Sequence, residues 1–403
     1  MSLPAYPKYK DSGVEWLGKV PEHWEVSAVK RIVQMQSGES ITAERIEETG
    51  KFPVFGGNGL RGYTSEFTHD GDFVLIGRQG ALCGNINYAN GRFWASEHAV
   101  VASPIAPVAT RWLGEMLRSM NLNQYSVSAA QPGLSVDLVA NLRTVRPPLS
   151  EQSGIASFLD HETAKIDSLV AEQQRLIELL REKRQAAISH AVTKGLNPKA
   201  KMKPSGIEWL GEVPEHWDVK KLRYVCDVET GDKDTEEAVE DGVYPFFVRS
   251  QTVERINSKT FDCEAVLTAG DGVGVGKVFH HHIGPFDFHQ RVYMMNNFRG
   301  VTGRFFFHFL RENFFKVALE GGAKSTVDSL RRPMFMGFPI CLPPASEQAA
   351  LVAWIEENAA RFDTLTAEAQ RAIDLLRERR SALISAAVTG QIDVRNFAPP
   401  KAA

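Results

Sequence analysis

Ser12 to Trp24 reads SGVEWLGKVPEHW, and Ser205 to Trp217 reads SGIEWLGEVPEHW, so the phrase returns 193 residues later with changes only at Val14/Ile207 and Lys19/Glu212. The second half of the chain is a copy of the first. At nearly the same offset Phe52-Pro53-Val54-Phe55 falls on Tyr244-Pro245-Phe246-Phe247, Gly80 on Gly272, Gly84 on Gly276 and Val100 on Val292. Further on, PPLSEQ from Pro147 falls on PPASEQ from Pro343, and LLREKRQAAISHAVT from Leu179 falls on LLRERRSALISAAVT from Leu375. Between these frames, residues 56–63 and 248–255 share almost nothing. A period this long is not that of a solenoid, whose units are far shorter. It describes an intramolecular pseudo-dimer, one scaffold used twice to hold two different middles.

The chain has 403 residues, room for two to three domains with their own cores. With 43% hydrophobic and 24% charged residues it has an ordinary globular composition. The start MSLPAYPKYK lacks the apolar core of a signal peptide, and no stretch approaches the ~18 apolar residues of a membrane span. Cys83, Cys226, Cys263 and Cys341 form no CxxC pair, so a reducing cytoplasm is the expected location. A net charge of −3 argues against a protein that grips nucleic acid by bulk positive charge, so any DNA-binding surface is local or shared with a partner.

After each Pro-Pro the sequence turns helical. Ser150 opens some forty residues in which Gly154 is the one glycine or proline, and apolar residues recur at three- and four-residue steps. The seam reads Leu159, Ile166, Leu169, Leu176 and Leu180, and in the second copy Ile355, Phe362, Leu365, Leu376 and Leu383. This is the heptad pattern of a coiled coil. Gly195 and Gly390 mark the helix ends. Two such helices, each about 60 Å long at ~1.5 Å per residue, would pair antiparallel about an internal two-fold. The competing reading is two separate amphipathic helices, each packed on its own domain.

The expected organisation is therefore a domain at 1–148, a helix at 149–196, a second domain at 197–344, a second helix at 345–392 and a tail at 393–403. Within the domains, strand-like runs such as Phe73–Ile76, Ala99–Ala102 and Glu264–Leu267 alternate with Gly-rich turns. A short helix follows from Thr110 to Asn121, with a counterpart near Gly303 to Leu310. Without a βαβ rhythm, the fold class is α+β.

Catalytic motifs fail one by one. GDGVGVGK, from Gly270 to Lys277, carries Asp271 where a phosphate loop needs glycine and Val278 where it needs Ser or Thr, so it reads as a hairpin turn. His280-His281-His282 with His289 lacks metal-ligand spacing and reads as a solvated loop. Trp24 and Trp217 read as core anchors. There is no Asn-Pro-Pro-aromatic loop, GxSxG elbow or HExxH helix. No catalytic or metal residue is assigned.

The phrases SGVEWLGKVPEHWEV, FPVFGGNGLRGYTSEF, LIGRQGALCGNI, FWASEHAVV, EAVLTAGDGVGVGKVF and FHQRVYMM, with both Pro-Pro-x-Ser-Glu-Gln helix starts, closely resemble the specificity subunit of type I restriction-modification systems. The resemblance covers nearly the whole chain. It implies two pseudo-repeated target recognition domains, each reading half of a split double-stranded DNA target, joined by two long helices in an antiparallel coiled coil. It also implies two methyltransferase subunits docked on that frame, and restriction-translocase subunits that complete an adenine methyltransferase and ATP-dependent endonuclease. S-adenosylmethionine, ATP and magnesium would then belong to the partners and not to this chain.

Half-sites one helical turn apart need readers ~34–36 Å apart, which a rigid helical pair sets. Divergent middles imply an asymmetric target. Candidate base contacts are polar side chains on the Gly-rich loops, because their donor patterns read base edges. They are Asn58, Arg61, Arg78, Gln79 and His98 in the first half, and Arg249, Gln251, Lys277, Gln290 and Arg291 in the second. Ser135 and the run Lys324-Ser325-Thr326 are candidate phosphate contacts. The alternative function is a protein-protein scaffold without DNA readout.

Overall fold

A computed structural model describes residues 4–80, 82–126, 133–320 and 332–397. Two compact units emerge, residues 1–173 with 371–403 and residues 174–370. Each combines one mixed α/β domain with part of both long helices, which run Leu149–Lys194 and Ala345–Val388.

The two best-preserved phrases of the repeat recur together because they bind each other. In the first unit Glu151, in the first helical turn, accepts from Trp24 Nε1 at 2.9 Å and from the Tyr6 hydroxyl at 3.1 Å, and His23 Nε2 lies 2.6 Å from it. Gln152 Oε1 accepts from the Ala109 amide at 3.1 Å, and its Nε2 donates to Pro147 O at 2.9 Å. In the second unit Glu347 accepts from Trp217 Nε1 at 3.0 Å with His216 at 2.9 Å, while Gln348 bridges the Thr302 amide and Pro343 O. Both tryptophans are wholly buried. Each indole N–H thus has the partner that burial demands, and the helix start is fastened to its domain.

Within each unit the helices run antiparallel, the start of one against the end of the other. Ile155, Phe158 and Leu159 share a core with Ile384, Ala387 and Val388 in the first unit. Ile188, Ala191 and Val192 share one with Leu351 and Ile355 in the second. The phase of the seam differs from the sequence expectation. Leu159, Ile166, Leu180 and Ile355 are buried and Phe362, Leu376 and Leu383 half-buried, but Leu169, Leu176 and Leu365 are 45%, 42% and 39% exposed. The alternate positions are filled by their neighbours Thr163, Val170 and Ile177 on the first helix and Thr366 and Ile373 on the second, each buried or half-buried. The heptad spacing holds, with the four-three alternation replacing three-four.

The two domains share a topology that is cut differently. In the first, strand Ala99–Pro104 pairs antiparallel with Val33–Ser37 and Phe73–Gly77, and Ile86–Ala89 completes that sheet. Strand Arg92–Ala95 belongs to a second four-stranded sheet, where it runs parallel to Phe52–Gly56. In the second domain one ten-residue strand, Phe279–Phe288, takes both places. It pairs antiparallel with Phe261–Ala269 and, at its end, parallel with Tyr244–Phe247, giving one six-stranded sheet. The turn at Asn90-Gly91 interrupts in the first copy what continues in the second. The parallel register is retained, Trp94 opposite Val54 and Asp287 opposite Phe246.

A close backbone crossing is also repeated. A Cβ on Gly38 would lie 2.2 Å from Ala95 O, and one on Gly231 would lie 2.1 Å from Phe288 O, so no other residue fits either place.

Two further expectations change. The histidines 280–282 lie on the long strand, not in a solvated loop, and His280 and His289 are buried. The helix near Gly303 continues to Glu320, longer than its counterpart Thr110–Ser119. Residues beyond the second helix pack on the first domain: Asp393 N–H donates to Pro4 O at 2.7 Å, Val394 is buried, and Phe397 meets Phe158 edge-on.

Candidate nucleic-acid interface

Four of the five first-half candidates line one cleft. Asn58, Arg61, Gln79 and His98, with Leu60 and Leu82, surround a volume of about 590 Å³ floored by Gly57, Gly59 and Gly80. The hairpin Phe52–Gly56 and Gly59–Thr64 supplies one wall. The turns after Phe73–Gly77 and Arg92–Ala95 supply the other, tied by the Arg78 N–H to His98 O bond at 2.9 Å.

The side chains are oriented by each other. His98 Nδ1 lies 3.0 Å from Gln79 Oε1, and its Nε2 lies 3.2 Å from Glu97 Oε1. Asn85 Nδ2 donates to Asn58 Oδ1 at 3.1 Å. Arg78 is not part of the lining, and its Nη1 donates to Ser37 Oγ at 3.1 Å. Ser135 caps the helix Val136–Asn141, its Oγ accepting from the Leu138 amide. Lys324, Ser325 and Thr326 lie outside the described residues.

The corresponding corner of the second domain is built from other residues. Asp271 stands where the first copy has Gln79, and it holds two of the candidates: Arg249 Nη1 donates to it at 2.9 Å and Arg291 Nη1 lies 3.5 Å away. Gln290, in the place of His98, donates through Nε2 to Asp234 Oδ2 at 2.7 Å. Asp234 is held below the usual carboxylate range, chiefly by the Thr235 amide it accepts from and also by Gln290. Buried His289 supports the turn, its Nδ1 accepting from the Arg291 amide at 2.9 Å. Lys277 and Gln251 are exposed. Asp234 and Asp271 escaped the sequence reading because an ionised carboxylate offers no donor to a base edge, and here each holds a donor side chain, Gln290 and Arg249.

The histidine run is divided among separate partners, His280 Nε2 facing Ser250 O and His281 Nε2 facing Glu264 Oε1. Among the described residues no group of three or more His, Cys, Asp or Glu side chains is gathered as for a metal ion. No helix among them is long and apolar enough to cross a membrane.

Fold and sequence together define a duplicated protein with two differently equipped polar corners on one repeated frame. The profile of the type I restriction modification DNA specificity domain matches twice, over residues 21–179 and 214–373, and the chain belongs to that family.

Among curated relatives, the type I restriction enzyme EcoprrI specificity subunit of Escherichia coli is 47% identical over 142 residues, 34% of each chain. The EcoDI specificity subunit of Escherichia coli is 30% identical over 182 residues, 45% of this chain and 40% of its own. The match thus spans less than half the length of either relative. The MjaVIII specificity subunit of Methanocaldococcus jannaschii aligns over 94% of this chain and 95% of its own, at 22% identity. A solved chain from the type I R-M system, described for complex assembly and conformational transition, shares the fold with TM-score 0.69 at 15% identity, covering 92% of this chain and 98% of its own. The HsdS subunit from Thermoanaerobacter tengcongensis does so with TM-score 0.55 at 14% identity, covering 93% and 98%.

Proposed function

We propose that this chain is the DNA-reading subunit of a type I restriction-modification complex, recognising an asymmetric split target with one domain for each half. The observation that carries this is the paired corner. Gln79 and His98 in the first domain and Asp271 and Gln290 in the second stand at equivalent positions of the repeat, so the frame is kept while the polar chemistry of the corner changes, as two readers of different half-targets require. A scaffold protein without readout has no use for that difference.

The repeated frame offers two copies of one partner the same docking surface, which fits two methyltransferase subunits. The chain itself carries no chemistry in this reading. S-adenosylmethionine, ATP and magnesium act on the methyltransferase and restriction-translocase subunits, in the cytoplasm. With a net charge of −3, this chain leaves part of the phosphate contact to those partners.

DNA retention measured with and without a co-expressed methyltransferase subunit tests the reading. Sequence-specific retention by the complex is expected, with neither cleavage nor methylation by the chain alone when S-adenosylmethionine, ATP and magnesium are supplied. Turnover by the chain free of partners, or a complex indifferent to DNA sequence, overturns it.

A further inference from the structure

Both amides in the first cleft have their oxygens engaged. His98 Nδ1 lies 3.0 Å from Gln79 Oε1, and with the ring proton on Nδ1 it occupies that oxygen and leaves the Gln79 NH₂ for the cleft. Asn85 Nδ2, donating to Asn58 Oδ1 at 3.1 Å, does the same for Asn58. The third polar group is the Arg61 guanidinium, which can only donate. Its stem lies across Gly56, where a Cβ would crowd Arg61 Cδ, so the glycine leaves room for the arginine there. The remaining side-chain walls are the His98 ring, whose nitrogens face Gln79 Oε1 and Glu97 Oε1, and Leu60 and Leu82, each 53% exposed although apolar.

A cleft of three donors and two exposed leucines has a definite complement in the major groove. Guanine presents two acceptors there, N7 and O6, and thymine presents O4 beside its methyl group. Adenine and cytosine each present an amino donor that would meet another donor. We propose, resting on the DNA-reading function above, that the first domain reads an unbroken run of keto bases, G and T, along one strand of its half-target. Asn58, Arg61 and Gln79 donate to the base oxygens and N7, and Leu60 and Leu82 take the thymine methyl groups. The corner of the second domain is wired in the opposite sense, with Gln290 Nε2 spent on Asp234, so the keto rule belongs to the first domain alone.

Two variants and the natural target test this together. Methylated motifs are mapped genome-wide in a host carrying the complex with the wild-type chain, Gln79→Glu or His98→Ala. The half-target altered by Gln79→Glu is the one read by the first domain, and in the wild type it should hold at least three consecutive G or T on one strand. Gln79→Glu replaces a donor by an acceptor, and at one position of the run should exchange the keto base for cytosine or adenine with at least a tenfold change in preference. His98→Ala frees the amide to turn and should admit adenine at that position while keeping the wild-type base. An altered half-target without a keto run overturns the proposal while the DNA-reading function stands. So does a Gln79→Glu motif identical to the wild type. The absence of any sequence-specific methylation in the wild type overturns the function and this proposal with it.

Discussion

Arg184 Nε stands 3.2 Å from the Asp363 carboxylate in the second unit, and one repeat away, in the first unit, Arg380 Nε donates to Asp167 at 3.0 Å. The two ion pairs are copies with the partners exchanged between helices, because antiparallel pairing about a two-fold demands that exchange. The aspartates are well exposed, so each pair contributes only ~0.5 kcal/mol. Arg184→Glu should destabilise the second unit by about 0.5–1 kcal/mol, and adding Asp363→Arg should recover most of it, read by urea unfolding as a double-mutant cycle. Simple additivity of the two substitutions would count against the pairing.

A much larger loss is expected at the helix starts. Glu347→Ala leaves the buried Trp217 Nε1 without an acceptor and removes a charge-assisted bond, at a cost of about 2–3 kcal/mol. Glu151→Ala, which also strands the Tyr6 hydroxyl, should cost at least as much. Thermal melting of the full chain checks both, and a shift of under a degree in either would mean that the phrase pairing is not what holds the helix.

The seam phase is testable by neighbouring residues. Ile177 is buried and Leu176 is 42% exposed. Ile177→Ala should cost ~2–4 kcal/mol, in the range for emptied core positions, and Leu176→Ala under about 1 kcal/mol. The reverse order in denaturant midpoints would restore the other phase.

Acid should weaken the second unit through His308. Burial, reinforced by Arg311 and Arg304, pushes this imidazole down to about 4, against the pull of Glu356. Since the folded value lies below the unfolded ~6.5, the unfolded chain binds the proton first, and stability falls as pH drops from about 6.5 to about 4, by on the order of 3 kcal/mol. Glu312, raised mainly by its own burial, acts in the opposite sense, its contribution being lost as pH rises through its folded value. His308→Gln should flatten the stability profile between pH 4 and 6.5. An unchanged slope would place the acid sensitivity elsewhere.

Much of this fold was legible because the chain repeats itself. The Pro-Pro starts and the stops at Gly195 and Gly390 bound both helices to within a few residues of Leu149–Lys194 and Ala345–Val388. The phase of the seam was harder to read. Leu159, Ile166 and Leu180 fit both alternations, while Leu169 and Leu176 are as apolar as the buried Ile177, so hydrophobicity alone could not choose between faces. The strand through the histidines was hidden for a related reason: His280 is buried by satisfying its Nε2 at Ser250 O, a partner thirty residues away that no local pattern reveals. In the first cleft, Asn58, Arg61, Gln79 and His98 were legible as polar residues on glycine turns. Arg78 shared that signature, yet its guanidinium goes to Ser37, forty-one residues distant in sequence.

The central claim, one reader for each half of a split target, is tested most directly by making the two readers the same. The segment between Trp24 and Pro147 is replaced by that between Trp217 and Pro343, joined within the repeated phrases that fasten each helix to its domain. The chimera is expressed with its methyltransferase subunit, and methylated bases are mapped genome-wide. The account predicts that the asymmetric target becomes an inverted repeat of the half-sequence read by the second domain, on either side of an unspecified gap. An unchanged asymmetric target, or a single continuous one, would contradict it.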